Sequence, residues 1–126
     1  RDRLRSRGLG DVYKRQLEGM LFDIENNAFW DENWGEKPEI FERQKEIATE
    51  NFKKYPKLIP IYSNRYIPSK PHETGNPILS VHQMDIIYYG FDLATYFRNE
   101  FHLRLPDNFE IPQNPKYIEF WSEHTS

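Results

Sequence analysis

Lys57–Gly90 reads KLIPIYSNRYIPSKPHETGNPILSVHQMDIIYYG, and its patterning decides the fold. Short runs rich in β-branched and aromatic residues (Leu58–Tyr62, Arg65–Ile67, Ile78–Val81 and Ile86–Tyr89) alternate with turn chemistry, which predicts short strands. Ser63-Asn64 is a two-residue connection, His82–Asp85 a turn, and Pro68–Pro77 with its Gly75 a loop. Pro60 has no N–H to give to a ladder, so it belongs at a sheet edge or a bulge.

On the N-terminal side, Pro38–Tyr55 predicts a helix that Pro56 stops. Pro38 sits in its first turn, Glu36 and Glu39 near the positive end, and Lys53 and Lys54 near the negative end. Ile40, Phe41, Ile47, Ala48, Phe52 and Tyr55 fall largely on one face, and Glu39 and Arg43 are four apart. Before it, the apolar run Met20-Leu21-Phe22 reads as a strand, followed by loops at Asn26-Asn27 and Asp31–Gly35. On the C-terminal side, Asp92 is a good N-cap for a helix from Leu93 to about His102, with Leu93, Tyr96, Phe97 and Phe101 facing the core. Prolines 106, 112 and 115 keep the tail irregular, with Tyr117–Trp121 as a last packing segment. The order strand, helix, several strands, helix is an α+β fold with a mostly antiparallel sheet and packed helices.

Arg1–Gln16 differs from the rest. It carries six Lys or Arg against Asp2 and Asp11, a net of +4, which leaves −7 for Leu17–Ser126 out of the chain's −3. A basic arm is one reading. The other is that Asp11-Val12-Tyr13-Lys14-Arg15-Gln16 is a translated sequencing-library adapter, since its codons can spell a transposase mosaic end. Arg1–Gln16 is then non-native, to be set aside in fold reasoning, and 17–126 is the C-terminal part of a single domain incomplete at its N-terminus.

The 126 residues suffice for one domain, and aromatics make up 16% of them. The chain has no cysteine, which excludes disulfides, thiolate nucleophiles and cysteine zinc sites and fits a cytoplasmic location. No apolar run is long enough to span a bilayer, so no membrane partner is expected. The acidic balance of Leu17–Ser126 argues against nucleic acid and suits a basic protein partner.

Catalytic signatures are missing. His72, His82, His102 and His124 lack metal-ligand spacing, and His82 with Asp85 would need a third converging group. Asp31, Glu32, Asp85 and Glu100 are placed as solvated carboxylates, not as a pair flanking a scissile bond. Ser63, Ser69 and Ser80 have no nucleophile elbow, and Gly75-Asn76-Pro77 is a turn, not a phosphate cradle. The expectation is therefore no enzyme, no cofactor and no metal. A protein-binding surface is the better reading, with Arg65 and Tyr66 as anchors and Lys70, His72 and Glu73 on the following loop. Against that, Arg65 can pair with a carboxylate such as Asp85 while Tyr66 packs inward. Trp30 and Trp34 likewise read as buried under the long helix.

Several of these segments together resemble the SUKH superfamily, the group of yeast cell-wall-synthesis regulators and bacterial immunity proteins. The resemblance lies in Ile59-Pro60-Ile61-Tyr62, Arg65-Tyr66-Ile67-Pro68, Gly75-Asn76-Pro77 and Asp85–Gly90, in that order. Phe22–Trp30 and Asp92–Phe101 extend it, with a trace at Phe120-Trp121; the superfamily's N-terminal helices and aromatic turn are missing. It implies helices around one sheet and a cytoplasmic binding protein without catalytic residues, of the immunity type that neutralises a cognate toxin, such as a basic nuclease-like domain. A housekeeping regulator or scaffold of the same superfamily is the first alternative. The second is a small enzyme whose catalytic groups lie partly in a missing N-terminal region.

Overall fold

The computed structural model describes residues 2–126, with side chains from Gly10 onward. Of the basic segment Arg1–Gln16, Arg1 and the side chains up to Leu9 therefore lie outside the described residues. The chain divides into two compact units, residues 1–55 with the turn 82–84, and 56–81 with 85–126.

In the first unit, helix α1 spans Asp2–Glu25 and helix α2 spans Phe41–Phe52. The strand expected at Met20-Leu21-Phe22 is instead part of α1. Leu17, Met20, Leu21 and Ile24 recur at helical spacing among good helix formers, and that period outweighs a three-residue apolar run. Met20 and Ile24 are fully buried while Phe22 points outward. Val12 is buried too, and the Tyr13 ring lies 5.2 Å from that of Phe52. Helix α2 is shorter than predicted, because Pro38 and Glu39 stay outside it and Ile40 takes the N-cap position. Its buried face is Gln44, Ala48 and Phe52; Ile40 is exposed, contrary to its predicted core position. The Gln44 amide donates to the Pro38 carbonyl at 2.6 Å, a bond that holds the chain at the helix entrance. Arg43 pairs with Glu46 at 3.0 Å rather than with Glu39.

The second unit holds a four-stranded antiparallel sheet in the order β1-β2-β3-β4. Strands β1 Leu58–Tyr62, β2 Arg65–Pro68, β3 Ile78–His82 and β4 Asp85–Gly90 match the predicted runs to within one residue. Helix α3, Leu93–Phe101, follows β4 after the Asp92 cap, whose carboxylate accepts the Thr95 N–H at 2.8 Å. Gly90 is the residue on which α3 closes. A Cβ there would stand 2.6 Å from the Tyr96 Cα, so only glycine lets the helix backbone approach β4 this closely.

Strand β1 is an open edge. Its ladder runs Leu58 with Pro68, Ile59 with Ile67 and Pro60 with Tyr66, then slips by a bulge before Tyr62. Ser69 N–H donates to Lys57 O, so the alternation turns the backbone groups of Lys57 and Ile59 towards β2 and those of Leu58 and Pro60 outward. Pro60 thus removes a donor from the free edge, and both features foreseen for it, edge and bulge, occur. At the other side of the sheet the tail lies along β4. Thr125 bridges Ile86, and the Ser126 N–H donates to the Ile86 carbonyl at 2.9 Å. Ile118, Phe120 and Trp121 are buried, and the Trp121 indole N–H donates to Pro56 O at 2.8 Å. This is the packing segment expected at Tyr117–Trp121.

Candidate functional site

The register of β2 sorts the two proposed anchors onto opposite faces. Arg65 pairs with Ser80, and Tyr66 with Leu79. Tyr66 is 9% exposed and belongs to the core. Arg65 lies under α3 and is held from three sides. Its Nε donates to Glu100 Oε1 at 2.8 Å, its Nη1 donates to Ser80 Oγ at 3.2 Å, and its guanidinium carbon lies 3.8 Å from the Tyr89 ring centroid. The Tyr96 hydroxyl donates to the same Glu100 oxygen at 3.2 Å. Arg65 therefore finds a carboxylate, as its alternative reading required, but on α3 rather than at Asp85.

The electrostatics follow from that geometry. Burial holds the Tyr96 phenol above its ordinary pKa, and the neighbouring Glu100 adds to the effect by hydrogen bond and charge. For Arg65, burial works against the charge. The hydrogen bond and charge of Glu100, with the adjacent Tyr89, outweigh it and leave the guanidinium above its ordinary value. The cluster is internally paired and mostly shielded from water.

The three loop residues proposed as contacts, Lys70, His72 and Glu73, are all exposed. Glu73 is tied down by Lys116, whose ammonium donates to its carboxylate at 2.8 Å and to the Thr74 carbonyl at 2.6 Å. Inside the loop, the buried Asn76 amide donates to Pro71 O at 2.9 Å and to Pro68 O at 3.3 Å. Gly75 takes a φ of 88°, which a side chain would strain. The loop is thus braced from within, with Lys70 and His72 projecting. His82 and Asp85 are exposed at the two ends of the β3–β4 turn.

In the first unit the two tryptophans are half-buried. The Trp34 indole donates to the Tyr55 hydroxyl at 2.7 Å and Trp30 donates to Gly35 O at 2.8 Å; their rings meet edge-on at 5.0 Å.

An outward aromatic stripe was not anticipated. Leu93, Phe97 and Phe101 were assigned to the core, but they are 43%, 37% and 46% exposed. Of the four residues expected in the core only Tyr96 is buried there, with Thr95 beside it. At a spacing of four, Leu93, Phe97 and Phe101 share one face of the helix. The Phe101 ring lies 6.1 Å from Phe97 and 5.8 Å from Tyr62 at the end of β1, which is 55% exposed. The residues were visible in the sequence as an apolar i, i+4, i+8 series. Their direction was not, because the series fits a buried face equally well.

Among the described residues, no helix is long and apolar enough to cross a membrane. Set against known proteins, the chain matches no family model, no curated protein and no solved structure.

Proposed function

We propose that the chain is a non-enzymatic, cytoplasmic protein-binding domain of the SUKH type, and that it serves as an immunity protein that neutralises a cognate toxin by capping it. The observation that carries the binding reading is the exposed apolar stripe of Leu93, Phe97, Phe101 and Tyr62, three of them aromatic. Exposed aromatic groups grouped on one face are the usual anchors of a protein interface, since each buries much area for little ordering cost. The −7 balance of Leu17–Ser126 favours a basic partner and would speed encounter with it. The toxin-neutralising role rests on the superfamily resemblance, as does the absence of catalysis.

The test is coexpression of this chain in a bacterial host with the product of the gene beside its own. Recovery of growth, together with a purified complex of the two chains, is the expected result. Replacing Phe97 and Phe101 by glutamate should abolish both while the isolated protein still melts cooperatively. A complex without growth recovery would favour the regulatory or scaffold role, and no complex at all would overturn the immunity assignment.

A further inference from the structure

Helix α3 lies across the strands. Its first turn closes on Gly90 at the end of β4, and its last residue, Phe101, meets Tyr62 of β1 with ring centroids 5.8 Å apart. The tail at Ile111 and Pro112 walls one flank of the helix. The flank that carries Leu93, Phe97 and Phe101 is open. The sheet continues this open surface. Tyr62 pairs with Arg65, so both lie on the face that α3 covers. The Tyr89 ring sits over Arg65 on the same face, and Ile87, two residues before it, points the same way. Ile87 is 41% exposed.

The size of this surface fits a second copy of the chain. Leu93, Phe97, Phe101, Tyr62 and Ile87 are 37–55% exposed. A side chain of this size presents ~200 Å² when fully open, so together they leave ~450 Å² of apolar surface. A standard interface takes ~800 Å² from each partner, and ~65% of a homodimer interface is apolar, which calls for ~500 Å². The five side chains supply most of it.

The shape is self-complementary. In a two-fold dimer residue i meets j while j meets i. An antiparallel α3 pair with its axis at Phe97 sets Phe97 against its own copy and Leu93 against Phe101 of the other chain, twice. Charge agrees with this arrangement. His102 and Arg104 follow the stripe at one end and Asp92 precedes it at the other, so antiparallel pairing brings opposite signs together. Nor does net charge oppose it. Residues 17–55 hold ten acidic and five basic residues, a net of −5, whereas residues 56–126, which carry the stripe, hold eight and six, a net of −2.

We infer that the chain forms a two-fold homodimer through antiparallel packing of α3, with Phe97 on the axis and Leu93 facing Phe101 of the second copy. The dimer needs only the exposed surface, not the toxin-neutralising role. Its regulatory consequence rests on the partner-binding reading: one surface cannot hold a second copy and a toxin at once, so the dimer must open before capture.

The test is sedimentation velocity of the full chain alone, from roughly 1 μM to 1 mM, a span that covers dissociation constants of weak and moderate dimers. A rise from monomer to dimer mass across that range is expected. Phe97→Glu places two carboxylates on the axis and should keep the chain monomeric throughout, with a cooperative melt as the control for folding. Leu93→Lys and Phe101→Glu should each weaken the dimer, and an equimolar mixture of the two should restore it as a heterodimer, because lysine then faces glutamate. A monomer at every concentration, a dimer that Phe97→Glu leaves intact, or no recovery in the mixture would each overturn the inference. A dimer that captures no toxin would overturn the proposed function alone, and a strictly monomeric chain that captures one would overturn this inference alone.

Discussion

Arg65 shows how one side chain can be read correctly in type and differently in role. The residue was singled out as an interface anchor because a planar cation beside an aromatic is common at interfaces. Its neighbours instead satisfy it inside the molecule, with side-chain exposures of 20% for Arg65 and 14% for Glu100. Replacing Arg65 by methionine should therefore cost about 2–3 kcal/mol in urea unfolding, because the shielded Glu100 carboxyl loses its partner. Glutamate at the same position would set two carboxylates together, so Arg65→Glu cannot report on an interface without also unfolding the fold. Thr95 has the opposite sign. Its hydroxyl is buried without a hydrogen-bond partner, a standing penalty, so Thr95→Val should raise stability by about 1 kcal/mol in the same assay. A destabilised Thr95→Val would show that the hydroxyl has a partner after all.

At the scale of elements, the strands were legible because their signals are local. Alternation, Ser63-Asn64 and the prolines bound each strand within the strand itself. The direction of α3 was not legible, because it is set by a residue outside the helix. Gly90 admits the Tyr96 backbone, and this turns Tyr96 and Thr95 inward and Leu93, Phe97 and Phe101 outward. Gly90→Ala should consequently cost about 3 kcal/mol or more, since its methyl would meet helix backbone that cannot move aside. Circular dichroism would show retained strands with α3 loosened or the whole chain unfolded; an unchanged melting temperature would contradict the close approach. The Tyr96–Glu100 contact gives the same helix a pH dependence. The raised phenol pKa means the folded chain keeps a proton that the unfolded chain loses near the ordinary value of 10.0. Stability is then complete below that range and declines as pH rises through and above it. Tyr96→Phe should flatten this alkaline decline, at a cost near neutrality of about 1 kcal/mol for the lost hydrogen bond. Helix α1 was misread for another reason. Three adjacent apolar residues suggested a strand, and the longer period through Leu17, Met20, Leu21 and Ile24 was the stronger signal.

For the whole molecule, the balance between core and surface decides what a substitution can report. Ile118, Phe120 and Trp121 are buried, so the tail is as much part of the core as the sheet is. The stripe residues behave differently. Phe97→Glu with Phe101→Glu should change the melting temperature little, reduce binding of hydrophobic dyes, and abolish partner capture. Loss of folding in that variant would place the stripe in the core after all. The open edge of β1 has a separate consequence. A strand laid beside it would find a missing amide at Pro60 and a kinked ladder before Tyr62, so an incoming peptide or a second copy would meet an incomplete set of backbone partners. The exposed rim of the sheet is thereby blunted against edge-to-edge association, the first step by which sheets aggregate.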